Sequence, residues 1–184
     1  MPDLFSLDAR ALVARLRAGD VTPDEALDAA MARIAATDPE LNAIPTLCEE
    51  RARDAIRRLD TTGETARSPA WLAGLPIVIK DLTDVAGVRC TYGSPIYADY
   101  VPERSDIMVE ALERHGAIVI GKSNTPEFGA DSNTFNEVFG ATVNPWNTAK
   151  TSGGSSGGSA AALAAGQVWL ATGSDLGGSL RTPA

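Results

Sequence analysis

Apolar positions near the start of the chain recur at helical spacing. Leu12, Val13 and Leu16 share one face of a first predicted helix, which Ser6 can cap and which ends before Gly19. No residue of this face carries a chemical signature, so the helix is predicted to be structural.

Two more helices follow in this region. Residues 22–25, Thr-Pro-Asp-Glu, form a helix start with a cap, a proline at the first position and a capping-box glutamate, and the helix is expected to run to about Thr37. An arginine-rich segment at residues 49–59 is the third predicted helix. Residues 1–60 are therefore expected to form a structural helical layer, and residues 61–73 a polar link.

Beyond this link, short apolar strands alternate with helices. The predicted strands are residues 75–79, 117–120 and 168–171, and the predicted helices are residues 106–115, capped by Ser105 and closed by Gly116, and residues 159–165. This alternation is typical of an α/β fold with a largely buried sheet.

Composition narrows the functional classes. The chain has 184 residues, 44% of them apolar, with a net charge of -8 and a sequence pI of about 4.6, and is expected to form one domain. Its acidity disfavours nucleic acid and anionic membranes as partners, and no apolar run approaches the ~18 residues of a membrane span. The N-terminal residues lack a leader pattern, which favours a cytoplasmic protein. Cys48 and Cys90 show no metal spacing, so no metal and no cofactor is predicted.

Side chains that could act as a base near neutral pH are scarce. The only histidine is His115, and the only lysines are Lys80, Lys122 and Lys150. His115 lies at the end of a predicted helix, where a cation interacts favourably with the helix dipole, and this structural role is favoured over catalysis. A catalytic base must otherwise come from the lysines or from a carboxylate.

Two motif matches fail on their context. Residues 116–123 match the phosphate-loop pattern GxxxxGKS, but the four intervening residues are themselves a predicted strand, and Pro126 interrupts the segment after it. Residues 153–157 match the GxSxG nucleophile elbow, whose histidine lies downstream, whereas His115 lies upstream. Neither nucleotide binding nor a Ser-His-Asp triad within these residues is expected.

Two glycine-serine segments carry the strongest chemical signal. Residues 151–159 and 173–181 flank a predicted helix and strand, unlike a flexible linker. Successive glycines let backbone N–H groups converge on an anion, as acyl transfer requires where the oxyanion develops, and Ser179 is placed there to attack a carbonyl. Lys80 follows an apolar strand, and burial lowers the pKa of a lysine toward that of a usable base. Spacing alone makes Lys80 only the best of three lysines.

These segments resemble the signature region of the amidase signature family. The likeness is carried by residues 153–162 and 173–184, with further shared blocks at residues 74–81, 121–128 and 144–147. The resemblance implies an α/β fold with a central mixed β-sheet flanked by helices. It also implies a single amidase domain over residues 1–184, in which residues 74–184 form the catalytic region.

The resemblance further implies a role for each matching residue. Ser179 is the nucleophile, Ser155 the relay serine and Lys80 the base. The Gly154–Ser155 peptide bond is expected to be cis, with Ser155 Oγ in hydrogen-bonding reach of both Lys80 Nζ and Ser179 Oγ. The oxyanion hole is assigned to the backbone N–H groups of Leu176, Gly177, Gly178 and Ser179. Supporting side chains are those of Ser156, Ser174, Asp175 and Arg181, and predicted substrate contacts are Gly129 and Asp131.

The implied reaction is hydrolysis of a carboxamide to a carboxylate plus ammonia or an amine through a Ser179 acyl-enzyme. Amidotransferase subunits of this family usually have asparagine after the Lys-Asp pair, whereas Leu82 stands there in this chain, which favours a free-standing amidase acting on a small-molecule amide. A glutaminase-like amidotransferase subunit remains an alternative, as does a non-catalytic paralogue, and a homodimer is left open. Family members continue beyond residues 181–184, so the rest of the sheet and one pocket wall are expected downstream.

Overall fold

A mixed β-sheet organises the computed structural model, which describes residues 4–184. The strands are β1 (Thr46–Leu47), β2 (Pro76–Lys80), β3 (Ile118–Ser123), β4 (Phe135–Asn136), β5 (Gly140–Ala141), β6 (Val143–Asn144), β7 (Asn147–Thr151) and β8 (Leu170–Ala171). The central sheet has the order β1–β3–β2–β8, in which β2 runs parallel to β3 and β8, and β1 runs antiparallel to β3. The predicted α/β fold with a mixed central sheet is confirmed.

Five α-helices surround this sheet within the described residues. They are α1 (Ala9–Ala18), α2 (Pro23–Leu41), α3 (Glu49–Arg57), α4 (Ile107–Arg114) and α5 (Gly157–Ala164), with short 3₁₀ turns at Leu4–Ser6, Thr65–Arg67, Pro95–Tyr97 and Glu127–Gly129. The capping box predicted at the start of α2 is present, because Thr22 Oγ1 accepts from Glu25 N and Glu25 Oε2 accepts from Thr22 N. All five predicted helices therefore exist.

Two predicted helix caps are wrong. Asp8, not Ser6, caps α1, because its Oδ1 accepts a hydrogen bond from Ala11 N at 2.7 Å. Asp106, not Ser105, caps α4, because the Ser105 hydroxyl accepts from Ala86 N at 2.9 Å. In both cases an acidic residue just after the predicted serine occupies the capping position.

Several element boundaries also differ from expectation, including that of strand β8, which has only Leu170–Ala171 of the predicted residues 168–171. Helix α2 continues past Pro39 to Leu41, which is buried, and ends at left-handed Asn42, whose N–H donates to Asp38 O at 2.7 Å. Tertiary packing of this last turn outweighs the local signal to stop. Strand β3 extends to Ser123, beyond the apolar run, and α5 begins two residues before Ser159.

The apolar core lies along β2 and β3. Ile77, Val78 and Ile79 are completely buried, as are Val119 on the second strand and Val109 on α4. Helices α2 and α5 pack against β2, and α3 packs against β3, so both buried strands are held between helices. This packing carries the last residue of β2, Lys80, into the interior.

Helix α5 comes close to the ends of β1 and β3 where its first two residues, both glycines, lack side chains. A Cβ atom on Gly158 would lie 2.3 Å from Asn124 N and 2.7 Å from Ala43 O, so no larger residue fits there. The close approach places the serines that precede α5 beside the end of β2. None of the helices in residues 4–184 has the length and apolarity needed to cross a membrane.

Candidate active site

Lys80 lies at the centre of a cluster of serine hydroxyls. Its Nζ donates hydrogen bonds to Ser155 Oγ at 2.7 Å, to Ser156 Oγ at 2.9 Å and to Ser174 Oγ at 3.1 Å. Its backbone N–H is held by Thr172 Oγ1 at 2.9 Å, which ties the end of β2 to the segment after β8. The lysine side chain is 1% exposed. Ser155, Ser156 and Ser174, three of the predicted site residues, therefore all contact Lys80.

The environment of Lys80 shifts its amine toward the neutral form. Burial lowers the pKa of the amine to about 8, and the charge of Asp175 opposes this shift only in part. Among the described residues, no carboxylate forms a hydrogen bond or ion pair with Lys80 Nζ. A neutral amine keeps a lone pair, so it can accept a proton from one of the three hydroxyls.

We call residues 154–156 the relay segment, after the role that the family resemblance predicts for Ser155. The Gly154–Ser155 peptide bond is cis, and both Ser155 and Ser156 are buried. Thr125 Oγ1 donates to Ser155 O at 3.0 Å, which anchors this segment to the loop after β3. Ser156 Oγ bonds to both main-chain groups of Ser174 at 3.3 Å and so joins the segment to the second glycine-serine loop.

Asp175 closes the second glycine-serine loop around its own carboxylate. Oδ1 accepts from Gly178 N at 2.7 Å and from Arg181 Nη2 at 2.9 Å. Oδ2 accepts from Leu180 N at 3.0 Å, and from Arg181 N and Nε at 3.2 and 3.1 Å. The Arg181 side chain, with backbone donors of the same loop, strongly lowers the pKa of Asp175. The supporting role expected of this pair thus corresponds to shaping the turn that carries Ser179.

The predicted oxyanion donors do not all have the expected geometry. Gly178 N–H differs from the prediction, because it donates to Asp175 Oδ1 and is already satisfied. Within residues 4–184, the N–H groups of Leu176, Gly177 and Ser179 donate to no acceptor. Three of the four predicted donors therefore have no acceptor within these residues.

Ser179 is connected to the relay segment through its main chain. Its carbonyl oxygen accepts from Ser156 N at 3.0 Å, and its side chain is half-buried. No hydrogen bond joins Ser179 Oγ to Ser155 Oγ in the described part of the chain. Of the two expected contacts of Ser155, the one with Lys80 is thus present and the one with Ser179 is absent within these residues.

The two predicted substrate contacts are placed differently. A Cβ atom on Gly129 would lie 3.3 Å from Ser155 Oγ and 2.6 Å from Leu82 Cδ1, so this glycine borders the serine cluster. Asp131 is exposed, and its Oδ1 accepts from Asn133 N at 3.0 Å within its own turn. Among residues 4–184, no hydrogen bond connects Asp131 with the cluster.

Lys122 is excluded as an alternative base by a buried ion pair that sequence analysis did not anticipate. Its Nζ donates to Asp81 Oδ1 at 2.8 Å, and both side chains are at most 1% exposed. Asp81 Oδ2 accepts from Thr91 N at 3.0 Å and from Thr91 Oγ1 at 2.7 Å. Lys150 is exposed on β7. The signal for the pair was the Lys-Asp dipeptide at the end of β2, with a second lysine on the neighbouring strand.

The remaining motif matches have structural explanations. Residues 118–123 of the apparent phosphate loop form β3, so no flexible turn exists between its glycines. His115 ends α4, and its Nδ1 lies 2.8 Å from Ala111 O. Within the described residues, no cluster of histidine, cysteine or carboxylate side chains could hold a metal ion.

Known proteins share this arrangement of elements. The Amidase family model matches residues 25–184. Over 184 residues, the chain is 44% identical to a glutamyl-tRNA(Gln) amidotransferase subunit from Chloroflexus aurantiacus, and the match covers 100% of this chain and 38% of that relative. The chain thus spans under two-fifths of the length of the curated relatives it matches.

Solved structures agree with the family match. A 6-aminohexanoate cyclic dimer hydrolase is 33% identical with a TM-score of 0.87, over 97% of this chain and 36% of that one. A bacterial aryl acylamidase of the amidase signature enzymes is 30% identical with a TM-score of 0.87, over 96% of this chain and 37% of that one.

Proposed function

Because the chain belongs to the amidase family, we propose that the protein hydrolyses the C–N bond of a carboxamide, with Ser179 as nucleophile, Ser155 as proton relay and Lys80 as base. The observation that carries this proposal is the 2.7 Å contact between the buried Lys80 amine and Ser155 Oγ. Burial lowers the pKa of that amine to about 8, so about a tenth of it is neutral at pH 7. A base of this kind replaces the histidine that the site lacks.

The proposed acylation step moves one proton in two transfers. Ser155 gives its hydroxyl proton to Lys80 Nζ and takes the proton of Ser179, whose Oγ attacks the carbonyl carbon. The C–N bond then breaks, and the proton returns from Lys80 through Ser155 to the departing nitrogen. Water hydrolyses the acyl-enzyme by the same path, releasing the carboxylate and restoring Ser179.

Substrate binding has to complete the relay. The main chain of Ser179 is bonded to Ser156 N, and the proposed relay requires Ser179 Oγ to come within hydrogen-bonding reach of Ser155 Oγ. Catalytic hydrogen bonds are often long in the absence of substrate and tighten in the complex. The N–H groups of Leu176, Gly177 and Ser179 then stabilise the oxyanion, where the loss of one donor typically costs ~10²–10³ in kcat.

Ser156 and Ser174 are proposed to keep the base in position. Each accepts one hydrogen bond from Lys80 Nζ, which leaves the contact with Ser155 as the shortest of the three. Ser156 also binds both main-chain groups of Ser174. The Ser156 side chain therefore couples the position of the base to the position of the second loop.

A second candidate function rests on a different observation. The 44% identity with a glutamyl-tRNA(Gln) amidotransferase supports a glutaminase-like subunit that passes ammonia to a transfer-RNA-linked partner. Leu82, beside Gly129 and Ser155, argues for the free-standing amidase, because an apolar side chain there offers no partner to the charged groups of glutamine. Affinity purification from the native host, followed by light scattering, separates a homodimer from a complex with other subunits.

The activity test uses the complete natural protein. Purified enzyme is incubated with primary amides, anilides, simple esters and L-glutamine, and released ammonia or amine is quantified. We expect hydrolysis of at least one amide and a Ser155→Ala loss of kcat of at least ~10² for the missing proton relay. Ser68→Ala, in a surface turn of the polar link, is the matched serine control and should keep full activity. Absence of turnover with every amide and ester would contradict the proposal.

A further inference from the structure

An apolar surface leads outward from the relay serine. Its innermost part is the contact between Leu82 and Gly129: the position that a Cβ on Gly129 would occupy lies 2.6 Å from Leu82 Cδ1 and 3.3 Å from Ser155 Oγ. Gly129 has a φ of +68°, a conformation that glycine adopts without strain. The leucine side chain and the hydroxyl that is proposed to relay the proton therefore both border the space beside Gly129.

A cluster of aromatic rings continues this surface. Phe128, the neighbour of Gly129, packs edge-on against Tyr97 with ring centroids 6.2 Å apart. Tyr97 in turn packs edge-on against Tyr92 at 5.0 Å and against Tyr100 at 5.8 Å. Phe128 is 51% exposed and Tyr97 is 37% exposed. We call Leu82, Gly129, Phe128 and these three tyrosines the apolar wall.

The side chains of the apolar wall present uncharged groups to a ligand. Asp84 lies behind it and accepts from Tyr92 Oη at 2.6 Å and from Tyr100 Oη at 3.5 Å. Burial and this carboxylate raise the pKa of Tyr92, so its phenol stays neutral. Glu127 Oε1 accepts from Ser94 Oγ at 2.6 Å. Asp84 and Glu127 are thus engaged, and the exposed rings form a patch of the kind that marks binding surfaces.

The loop that carries Phe128 is held in place by tight backbone contacts. Phe128 N donates to Tyr92 O at 2.7 Å, and a Cβ on Gly93 would lie 2.8 Å from Thr125 O and 3.0 Å from Glu127 N. Phe128 itself has a φ of +50°, which is uncommon for an aromatic residue. An exposed ring in such a fixed backbone is preorganised for contact with a ligand.

The position of the apolar wall decides which part of a substrate it contacts. Ser155 Oγ delivers the proton to the departing nitrogen in the proposed reaction, so groups beside this hydroxyl face the amine half of the amide. We propose that the apolar wall binds an aromatic or branched apolar amine substituent, with Leu82 and Phe128 as specificity-determining residues. This inference rests on the proposed function. The substrate class is accordingly an N-substituted amide, such as an anilide, rather than a primary carboxamide.

Three substrates distinguish contacts with the amine half of the amide from contacts with the acyl half. Acetanilide carries the ring on the amine side, phenylacetamide carries it on the acyl side, and acetamide carries none. With the complete protein, we expect kcat/KM to be highest for acetanilide. Leu82→Asn keeps the size and branching of the side chain but makes it polar, and Phe128→Ala removes an exposed ring; each should lower kcat/KM for acetanilide by about 10-fold or more, as typical for lost apolar contacts. In both variants the loss should be smaller for acetamide, because acetamide carries no amine substituent for the apolar wall to bind.

The controls and outcomes distinguish this inference from the proposed function. Ile107→Ala removes an exposed apolar side chain outside the apolar wall and should leave all three substrates unchanged. If either variant lowers phenylacetamide turnover instead, or lowers all three substrates equally, the assignment to the amine side is overturned while amide hydrolysis stands. If Ser179→Ala and Lys80→Ala retain wild-type turnover of these amides, the proposed function itself fails.

Discussion

The backbone N–H of Ser156 donates to the carbonyl oxygen of Ser179 over 3.0 Å. This bond joins the two glycine-serine loops. Its donor, Ser156, is the neighbour of the proposed relay Ser155, and its acceptor belongs to the proposed nucleophile Ser179. Because it links main chain to main chain, it is retained when either serine side chain is replaced. Serine-to-alanine variants should therefore report on chemistry rather than on the position of the loops.

A fluorophosphonate probe should form one adduct with the complete protein, on Ser179. The expectation follows from the free N–H groups of Leu176, Gly177 and Ser179 within the described residues, which can stabilise the phosphoryl oxygen as they would an oxyanion. Ser179→Ala should abolish labelling and turnover together, measured by intact mass and by amine release. Ser68→Ala should label as the unaltered protein does. An adduct on Ser155 with Ser179 unmodified would reverse the two assignments.

Replacement of Lys80 by alanine should lower kcat by at least the ~10²–10⁴ that general-base catalysis contributes. Lys80 is the only lysine whose amine contacts Ser155 in the described structure. Lys150→Ala, on the exposed strand β7, is the matched control and should change kcat by less than about twofold. A Lys80→Ala enzyme with near-normal kcat on an amide would remove the lysine from the mechanism.

The pH profile of kcat/KM should report the titration of Lys80. Burial lowers the pKa of the amine to about 8, and the protonated form cannot accept a proton, so activity should rise with pH and level off above about pH 8. Asp175 raises the pKa of Lys80, so Asp175→Asn should move this acid limb to lower pH while also lowering kcat by loosening the loop.

The matched control for the profile is Asp60→Asn. Asp60 Oδ1 accepts from Thr62 N and Gly63 N within its own surface turn. Asp60→Asn should therefore leave the acid limb of the kcat/KM profile where it is. An acid limb in Asp175→Asn that shifts upward, or that does not shift at all, would contradict the expectation that this carboxylate raises the pKa of Lys80.

The buried pair of Asp81 and Lys122 should dominate the stability of this region. Asp81→Asn leaves the Lys122 ammonium without its counter-charge, and breaking a buried pair typically costs ~3–5 kcal/mol in the free energy of unfolding. Arg57→Ala removes an exposed pair with Asp54 on α3 and should cost less than ~1 kcal/mol. Denaturant titration of the complete protein measures both, and equal costs would show that the buried pair adds nothing.

Local patterns identified most elements because their causes are local. The Thr22–Glu25 capping box and the apolar run before Lys80 each occupy a few adjacent residues, and both a helix and a strand form where these patterns predict. The cap of α4 was misplaced because Ser105 and Asp106 are both good caps. The choice depends on Ala86 N, which lies 19 residues away in the chain and engages the serine.

The sequence by itself determined the α/β class, the scarcity of bases and the two glycine-serine segments, since these depend on composition and on short-range spacing. Spacing alone left Lys80 as the best of three lysines, and the family resemblance implied that it is the base. Only the tertiary structure shows the surroundings of each amine: Lys122 is paired with Asp81, 41 residues away, whereas Lys80 meets Ser155, 75 residues away, without a carboxylate. Burial and pairing of this kind arise when distant segments pack together, so no local pattern encodes them.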